Sequence, residues 1–307
     1  MTAAFLDGVA PLPDWGVIRA QGPDAASFLH GQLTQDFSLL DTGHARLAAL
    51  CSPKGRMLAS FIGIKPQPEL VLLACSADLL AATLKRLSIY VLRAKLKLDD
   101  ASAQYALYGL AGAALAQNGL DPAAAPFTCR ARDAAWAVTL HPADGVPRAL
   151  WIAPADSPPP EGEPLNTTHW HWGEIRSGVA TVSAPVVDAF VPQMLNYESV
   201  DGINFKKGCY PGQEVVARSQ YRGTVKRRAY LISADGPLQA GDEVFAAGDA
   251  EQPVGTVAQA APGPDGRWSA LVSVQIEALN AGGLRAGSAR GVALTVEPLP
   301  YPLLQEI

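Results

Sequence analysis

The chain has 307 residues and a net charge of −5, with 49% of positions apolar and 17% charged. Its 28 Gly and 25 Pro are too few for a disordered or collagen-like chain, and its length is about twice that of a typical domain, so a globular protein of two or three lobes is expected. No apolar run approaches the roughly 20 residues that span a bilayer, and the opening MTAAFLDGVAPLPDW has no cation ahead of an apolar core, so a cytoplasmic protein without membrane contact is expected.

Residues 14–21, DWGVIRAQ, read as a strand. Gly22-Pro23-Asp24 breaks it, Asp24 is placed to cap a helix from Ala25 to His30, and Gly31 stops that helix. Leu47–Cys51 and Met57–Ile64 flank the turn-forming Ser52-Pro53-Lys54-Gly55-Arg56 and predict a hairpin. A strand over Leu70–Ala74 and a helix over Ala77–Tyr90 follow, then a strand over Tyr105–Gly109 with a helix over Ala111–Asn118, and strands over Ala135–Leu140 and Ala149–Ile152. Hairpins mixed with helices make an α+β pattern.

Pro154, Pro158, Pro159, Pro160 and Pro164 make 154–164 a stiff connector. Beyond it Thr167 or Thr168 can cap a helix to about Ser177, with Trp172, Ile175 and Val179 on one core-facing side. Trp170 then lies roughly 200° around that helix from Trp172 and requires a different partner. After Gly223 the helical period fades. Thr224–Ile232, Glu243–Ala246, Pro253–Ala258, Trp268–Gln275 and Val292–Val296 read as short strands of a small β-barrel or sandwich.

The four cysteines, Cys51, Cys75, Cys129 and Cys209, have no C-x-x-C spacing and are expected as free thiols. His169 and His171 diverge too far around a helix to share an ion, so no metal site is expected. The stretch from Gly202 to Arg228 carries seven cations (Lys206, Lys207, Arg218, Arg222, Lys226, Arg227 and Arg228) against the single acid Glu214, which suits either a solvated edge or an anionic partner. Within it, Cys209 follows two lysines and precedes Pro211-Gly212, which open a helix. A thiol near cations and a helix N-terminus is a candidate reactive group, and a buried packing cysteine is the alternative. Gly208 and Gly212 permit close approach of a ligand. No histidine lies nearby in sequence, so a Cys-His hydrolase has no support at this level.

Lys207-Gly208-Cys209-Tyr210, then Gly212-Gln213-Glu214, extended by Arg218 and Arg222-Gly223, resembles the K-G-C-Y-x-G-Q-E signature of the YgfZ family of folate-binding proteins, relatives of the glycine-cleavage aminomethyltransferase. Asp24–Asp36 (DAASFLHGQLTQD), the Cys51–Arg56 hairpin and the ending Glu297–Tyr301 resemble the same family, whereas 100–160 carries no anchor. The resemblance implies a three-lobed ring with a central folate pocket. Residues 1–222 would form the aminomethyltransferase-like folate-binding region and 223–307 a C-terminal β-barrel. It also implies folate, as tetrahydrofolate or a close relative, held by Trp15 and Trp170, with Gln193, Asn196 and Glu198 near the pocket.

The implied role is that of an accessory protein for iron-sulfur enzymes and the tRNA thiomethylation they perform, with Cys209 as working thiol, iron-sulfur proteins as clients and tRNA as an indirect partner. Cys209 and Trp170 are expected to open onto one cavity between lobes. Two other readings stay open. A folate-dependent aminomethyl transferase is disfavoured because Arg176, in Glu174-Ile175-Arg176-Ser177-Gly178, stands where transferases carry an acid. Direct tRNA binding through the basic stretch is disfavoured by the acidic net charge and the absence of interleaved aromatics.

Overall fold

The structure is a computed structural model that describes residues 5–221, 225–246 and 252–304. Arg222 and Gly223, which end the signature, and Thr224, which begins the expected barrel strand, lie outside the described residues. In chain order the first elements are β1 (Gly8–Pro11), β2 (Trp15–Gln21), α1 (Ala25–His30), β3 (Ala45–Cys51), β4 (Met57–Gln67), β5 (Leu70–Ser76), α2 (Ala77–Ile89) and β6 (Lys97–Asp100). The middle of the chain gives β7 (Tyr105–Ala111), α3 (Ala113–Gln117), β8 (Cys129–Arg132), β9 (Ala135–Ala143), β10 (Val146–Pro154) and α4 (Thr167–Arg176). The remainder gives α5 (Gln213–Tyr221), β11 (Arg227–Ala234), β12 (Glu243–Phe245), β13 (Gly255–Pro262), β14 (Trp268–Gln275), α6 (Ile276–Ala281), β15 (Arg285–Ala286), β16 (Val292–Ala293) and β17 (Thr295–Glu297).

These strands make three antiparallel sheets, ordered β3-β4-β5-β2-β6, β1-β7-β10-β9-β8 and β16-β15-β12-β13-β14-β11-β17. The α+β class follows. In the third sheet the edge strands β16 and β17 are separated only by Leu294, so the sheet curls until its two edges meet in the chain, a barrel-like solution to exposed edges.

The first sheet is covered on both faces, which is why its strands read as apolar runs rather than as alternation. Val71, Leu73 and Cys75 face a core with Phe28 and Leu29 of α1 and Leu80 and Leu87 of α2. Leu72 and Ala74, on the opposite face, join a larger core shared with Leu107, Leu150 and Ile152 of the second sheet, Trp170 and Trp172 of α4, and Leu231 and Leu271 of the third sheet. All three sheets therefore meet at α4.

The N-terminus of α4 is capped by Asn166, whose side chain accepts from the Thr168 N–H at 2.8 Å, and Thr167 lies inside the helix. A third-sheet contact explains Trp172, whose indole N–H donates to Ser269 Oγ at 3.0 Å. Trp170 does turn away from it, yet it is buried too, because the second sheet supplies the other wall. There Gly109 is required, since a Cβ would overlap the Trp170 ring carbons. The Asp24 carboxylate, expected to cap α1, instead accepts from the Lys95 N–H at 2.7 Å, so α1 lacks a side-chain cap and its chain entry is pinned to the residues before β6. The connector 154–164 has no strand or helix beyond the end of β10; Val9 donates to the Glu163 carbonyl at 2.8 Å, which lays the connector beside β1.

Gly109→Ala is expected to force ring or backbone movement at a cost of about 1–3 kcal/mol, read as a lower midpoint in thermal or denaturant unfolding. A variant that unfolds at the wild-type midpoint would show that the indole has room to spare.

Candidate functional site

A cleft opens where the first and second sheets meet α4, and Trp15 and Trp170 both line it. Its chemistry is set by Arg148 of β10, a strand otherwise buried and apolar from Ala149 to Ala153. The Arg148 guanidinium is 2% exposed and lies over the Trp170 ring, 4.2 Å from its centroid. Nε and one terminal nitrogen are buried with no hydrogen-bond partner. Burial pushes Arg148 down to about 10, against the favourable charge of Glu174.

Glu174 lies one turn beyond Trp170 on α4 and is itself buried, so desolvation raises its carboxyl while the charges of Arg148 and His171 hold it down. The Trp170 indole N–H is buried with no hydrogen-bond partner. Tyr197, fully buried, closes another wall and donates to the Ala180 carbonyl at 2.7 Å. His141 also lines the cavity; burial, with the Arg148 charge, lowers its pKa and favours a neutral ring. A flat ring with acceptor atoms suits such a place. Indoles offer faces, and the unfilled guanidinium N–H groups demand acceptors.

A second cleft adjoins the first, sharing Trp15, Glu174 and Thr181. Asp14 and His171 line it as an ion pair, Oδ2 to Nε2 at 3.0 Å. His171, for which no metal role was expected, thus lines the second cleft beside Asp14. Among the described residues no cluster of three His, Cys, Asp or Glu is spaced to hold a metal ion.

The other expected site residues lie elsewhere. Gln193 and Asn196 are fully buried but do not line the cavity. Gln193 Nε2 donates to the Val216 carbonyl at 2.7 Å and Asn196 Nδ2 to the Ala229 carbonyl at 2.8 Å, so their amides tie α5 and β11 to the segment 192–196. Glu198 also serves the frame, pairing with Arg228, which donates in addition to the Leu304 carbonyl at 3.0 Å.

Cys209 is exposed and does not line the cavity with Trp170, so the expected common chamber is not what the fold builds. Cys51, Cys75 and Cys129 are buried, and burial pushes their thiols up to about 12, 12 and 11. The signature around Cys209 is held from beneath. Lys207 is buried, donates to the carbonyls of His30 and Leu33, the latter at 2.7 Å, and sits 4.7 Å above the Tyr210 ring. Desolvation brings Lys207 down to about 8. Gly212, at φ +81°, packs on the Ser52–Gly55 turn, where a Cβ would meet the Gly55 backbone at 2.7 Å. Two of the segments that resemble the family thus touch. Gln213 is half-buried, and Glu214 and Arg218 are exposed on α5.

The sequence reading missed Arg148, Glu174, His141 and the Asp14–His171 pair. A signal existed for Arg148, a lone charge within the run Val146–Ile152, where an ionised group needs a partner or a ligand.

Three antiparallel sheets sharing one core around α4 define an aminomethyltransferase fold. The solved glycine cleavage system aminomethyltransferase T from Bartonella henselae matches with a TM-score of 0.69 at 17% identity, covering 98% of this chain and 88% of its own. The tRNA-modifying protein YgfZ of Photorhabdus laumondii is 31% identical over 314 residues, 96% of this chain and 92% of that protein. That of Sodalis glossinidius is 32% identical over 315 residues, covering 95% and 92%. The chain belongs to the YgfZ family. No family model matches the chain, and no described helix is long and apolar enough to cross a membrane.

The Asp14 approach raises His171 above its ordinary value against the effect of burial. The folded state therefore holds this proton more tightly than the unfolded chain, and the pair's contribution is complete below the unfolded value of about 6.5 and lost as pH rises through the folded value. Thermal melts of wild type and His171→Gln should differ most near pH 6 and converge toward pH 9. A constant difference over that range would separate the effect from the ion pair.

Proposed function

We propose that this protein binds a folate in the Trp15–Trp170 cavity and acts in the cytoplasm as an accessory to iron-sulfur enzymes of tRNA modification, with Cys209 as its working thiol. The observation that carries the folate reading is the Arg148 guanidinium, buried over the Trp170 face with N–H groups unpaired. Such a group in a cavity wall is stabilised by a ligand that brings acceptors. Trp170 and Trp15 would hold the flat ring, Arg148 would donate to its carbonyl or carboxylate oxygens, and Glu174 would accept from its N–H groups. When bound, tetrahydrofolate supplies a carrier for one-carbon units. The tRNA-modification part rests on the names of the relatives, and the iron-sulfur part on what the family signature implies.

Arg176 speaks against aminomethyl transfer. Its guanidinium makes two 2.8 Å bonds to Asp144 and a further pair with Glu297, so the position clamps the β9–β10 turn and β17 to α4. Direct tRNA binding is weakened as well, because Lys207 and Arg228 of the basic stretch are buried in bonds within the chain.

Tetrahydrofolate added to the protein is expected to give a saturable change in tryptophan fluorescence. Trp170→Phe and Arg148→Met should each weaken binding about tenfold or more. The absence of saturation in wild type would remove the folate reading. Independently, a Cys209→Ser chain should fail to support tRNA modification in cells, and full support would remove the thiol reading.

A further inference from the structure

The cleft between the first and second sheets holds an imbalance of hydrogen-bonding groups that burial makes costly. Three of its hydroxyls are engaged within the chain: Ser60 Oγ accepts from the Val182 N–H at 2.9 Å, Ser177 Oγ donates to the Glu174 carbonyl at 2.6 Å, and the Tyr197 hydroxyl donates to the Ala180 carbonyl at 2.7 Å. Three N–H groups are not. Arg148 Nε and Nη2 and Trp170 Nε1 are buried without an acceptor, on residues 2% and 1% exposed. With Arg148 over its ring and Gly109 against its ring carbons, Trp170 has its π surface engaged and its N–H left over. Glu174, one turn further along α4, is the only carboxylate that lines the cleft among the described residues. His141, kept neutral by burial and by the Arg148 charge, adds no further charge. The wall therefore asks a ligand for an acceptor at Arg148 and Trp170, and for a donor at Glu174.

Three kinds of ligand edge answer that demand differently. A carboxylate satisfies Arg148 but places a second anion near Glu174, whose charge already interacts with Arg148. An edge of amino groups sets N–H against N–H and leaves the buried donors unfilled. A lactam edge, a ring carbonyl with its adjoining N–H, is neutral and supplies the acceptor and the donor side by side. We propose that Arg148, Trp170 and Glu174 select the lactam edge of the folate ring and exclude rings that carry an amino group in place of that carbonyl. The inference rests on the folate reading and adds which edge of the ring enters the cleft and what the entry rejects. Arg148 and Trp170 give N–H groups to the carbonyl side, and Glu174 accepts N–H groups from the other side. Trp170 thus works through its polar edge, a role that another flat side chain in its place cannot fill.

Tetrahydrofolate and tetrahydroaminopterin make a matched pair of probes, since they share the tail and differ at the ring carbonyl, which the second replaces with an amino group. Calorimetric titration of the full chain should give tetrahydrofolate the tighter binding by about a hundredfold or more. Arg148→Met should bring the two affinities within about threefold of each other, and Trp170→Phe, which keeps a ring and removes the N–H, should narrow the ratio in part. Should Arg148→Met fail to fold, the wild-type and Trp170→Phe ratios still decide. Equal affinities in wild type, or a ratio that neither variant alters, overturns the proposal while leaving folate as the ligand. Displacement of tetrahydrofolate by p-aminobenzoylglutamate as effective as that by tetrahydropterin also overturns it, because the tail would then occupy Arg148. The folate reading itself fails by a different result, no saturation with tetrahydrofolate, and takes this inference with it.

Discussion

The burial of Arg148 is the constraint around which the centre of the molecule is organised. An ionised guanidinium removed from water needs compensation from its immediate surroundings, and this one receives the face of Trp170 and the charge of Glu174. Both compensating groups stand on α4 one turn apart, so the pose of that helix is tied to the pose of β10. Trp170 can reach the guanidinium only because Gly109 on the adjacent strand β7 leaves room for its ring. The cavity remains because apolar side chains filling it would seal the unpaired N–H groups away from any acceptor.

Charged side chains also join the parts that the sheets alone would leave separate. Arg176 connects α4 to the β9–β10 turn and to β17. Arg228 connects β11 to Glu198, and Lys207 connects the signature loop to α1. Each is buried or nearly so, and each donates to a fixed acceptor, so loss of one partner leaves a desolvated charge behind. These contacts specify how the pieces dock, which apolar burial by itself does poorly because it lacks direction. They also separate two kinds of chemistry. The cleft is lined by aromatic and aliphatic side chains with Arg148 and Glu174 among them, while the exposed thiol of Cys209 lies outside it.

Much of this was legible from residue order. The hairpin around Ser52–Arg56, helix α2 and strand β14 follow from local rules of turn residues and apolar spacing, which act over a few positions. The α+β class follows from their alternation, and the family resemblance rests on motifs spread along the chain. The divergence of Trp170 from Trp172 is likewise a property of helical geometry. The short strands β1, β6 and β8 escaped notice because four residues are too few to show a period, and they exist through pairing with β7, β2 and β9. The cap of α1 was misread because the Asp24 carboxylate found a backbone N–H from a distant segment.

What residue order determined, then, is the set of local elements, the class of fold and the presence of two indoles and one uncommon cysteine motif. Only tertiary structure decided that Arg148 would neighbour the two indoles at one cleft, that Gln193 and Asn196 would bond to α5 and β11, and that Cys209 would face solvent. The physical reason is one of range. Local propensity is set by neighbours within a turn or two, whereas desolvation, charge pairing and the partner of a side chain depend on segments that fold topology brings together across the whole chain.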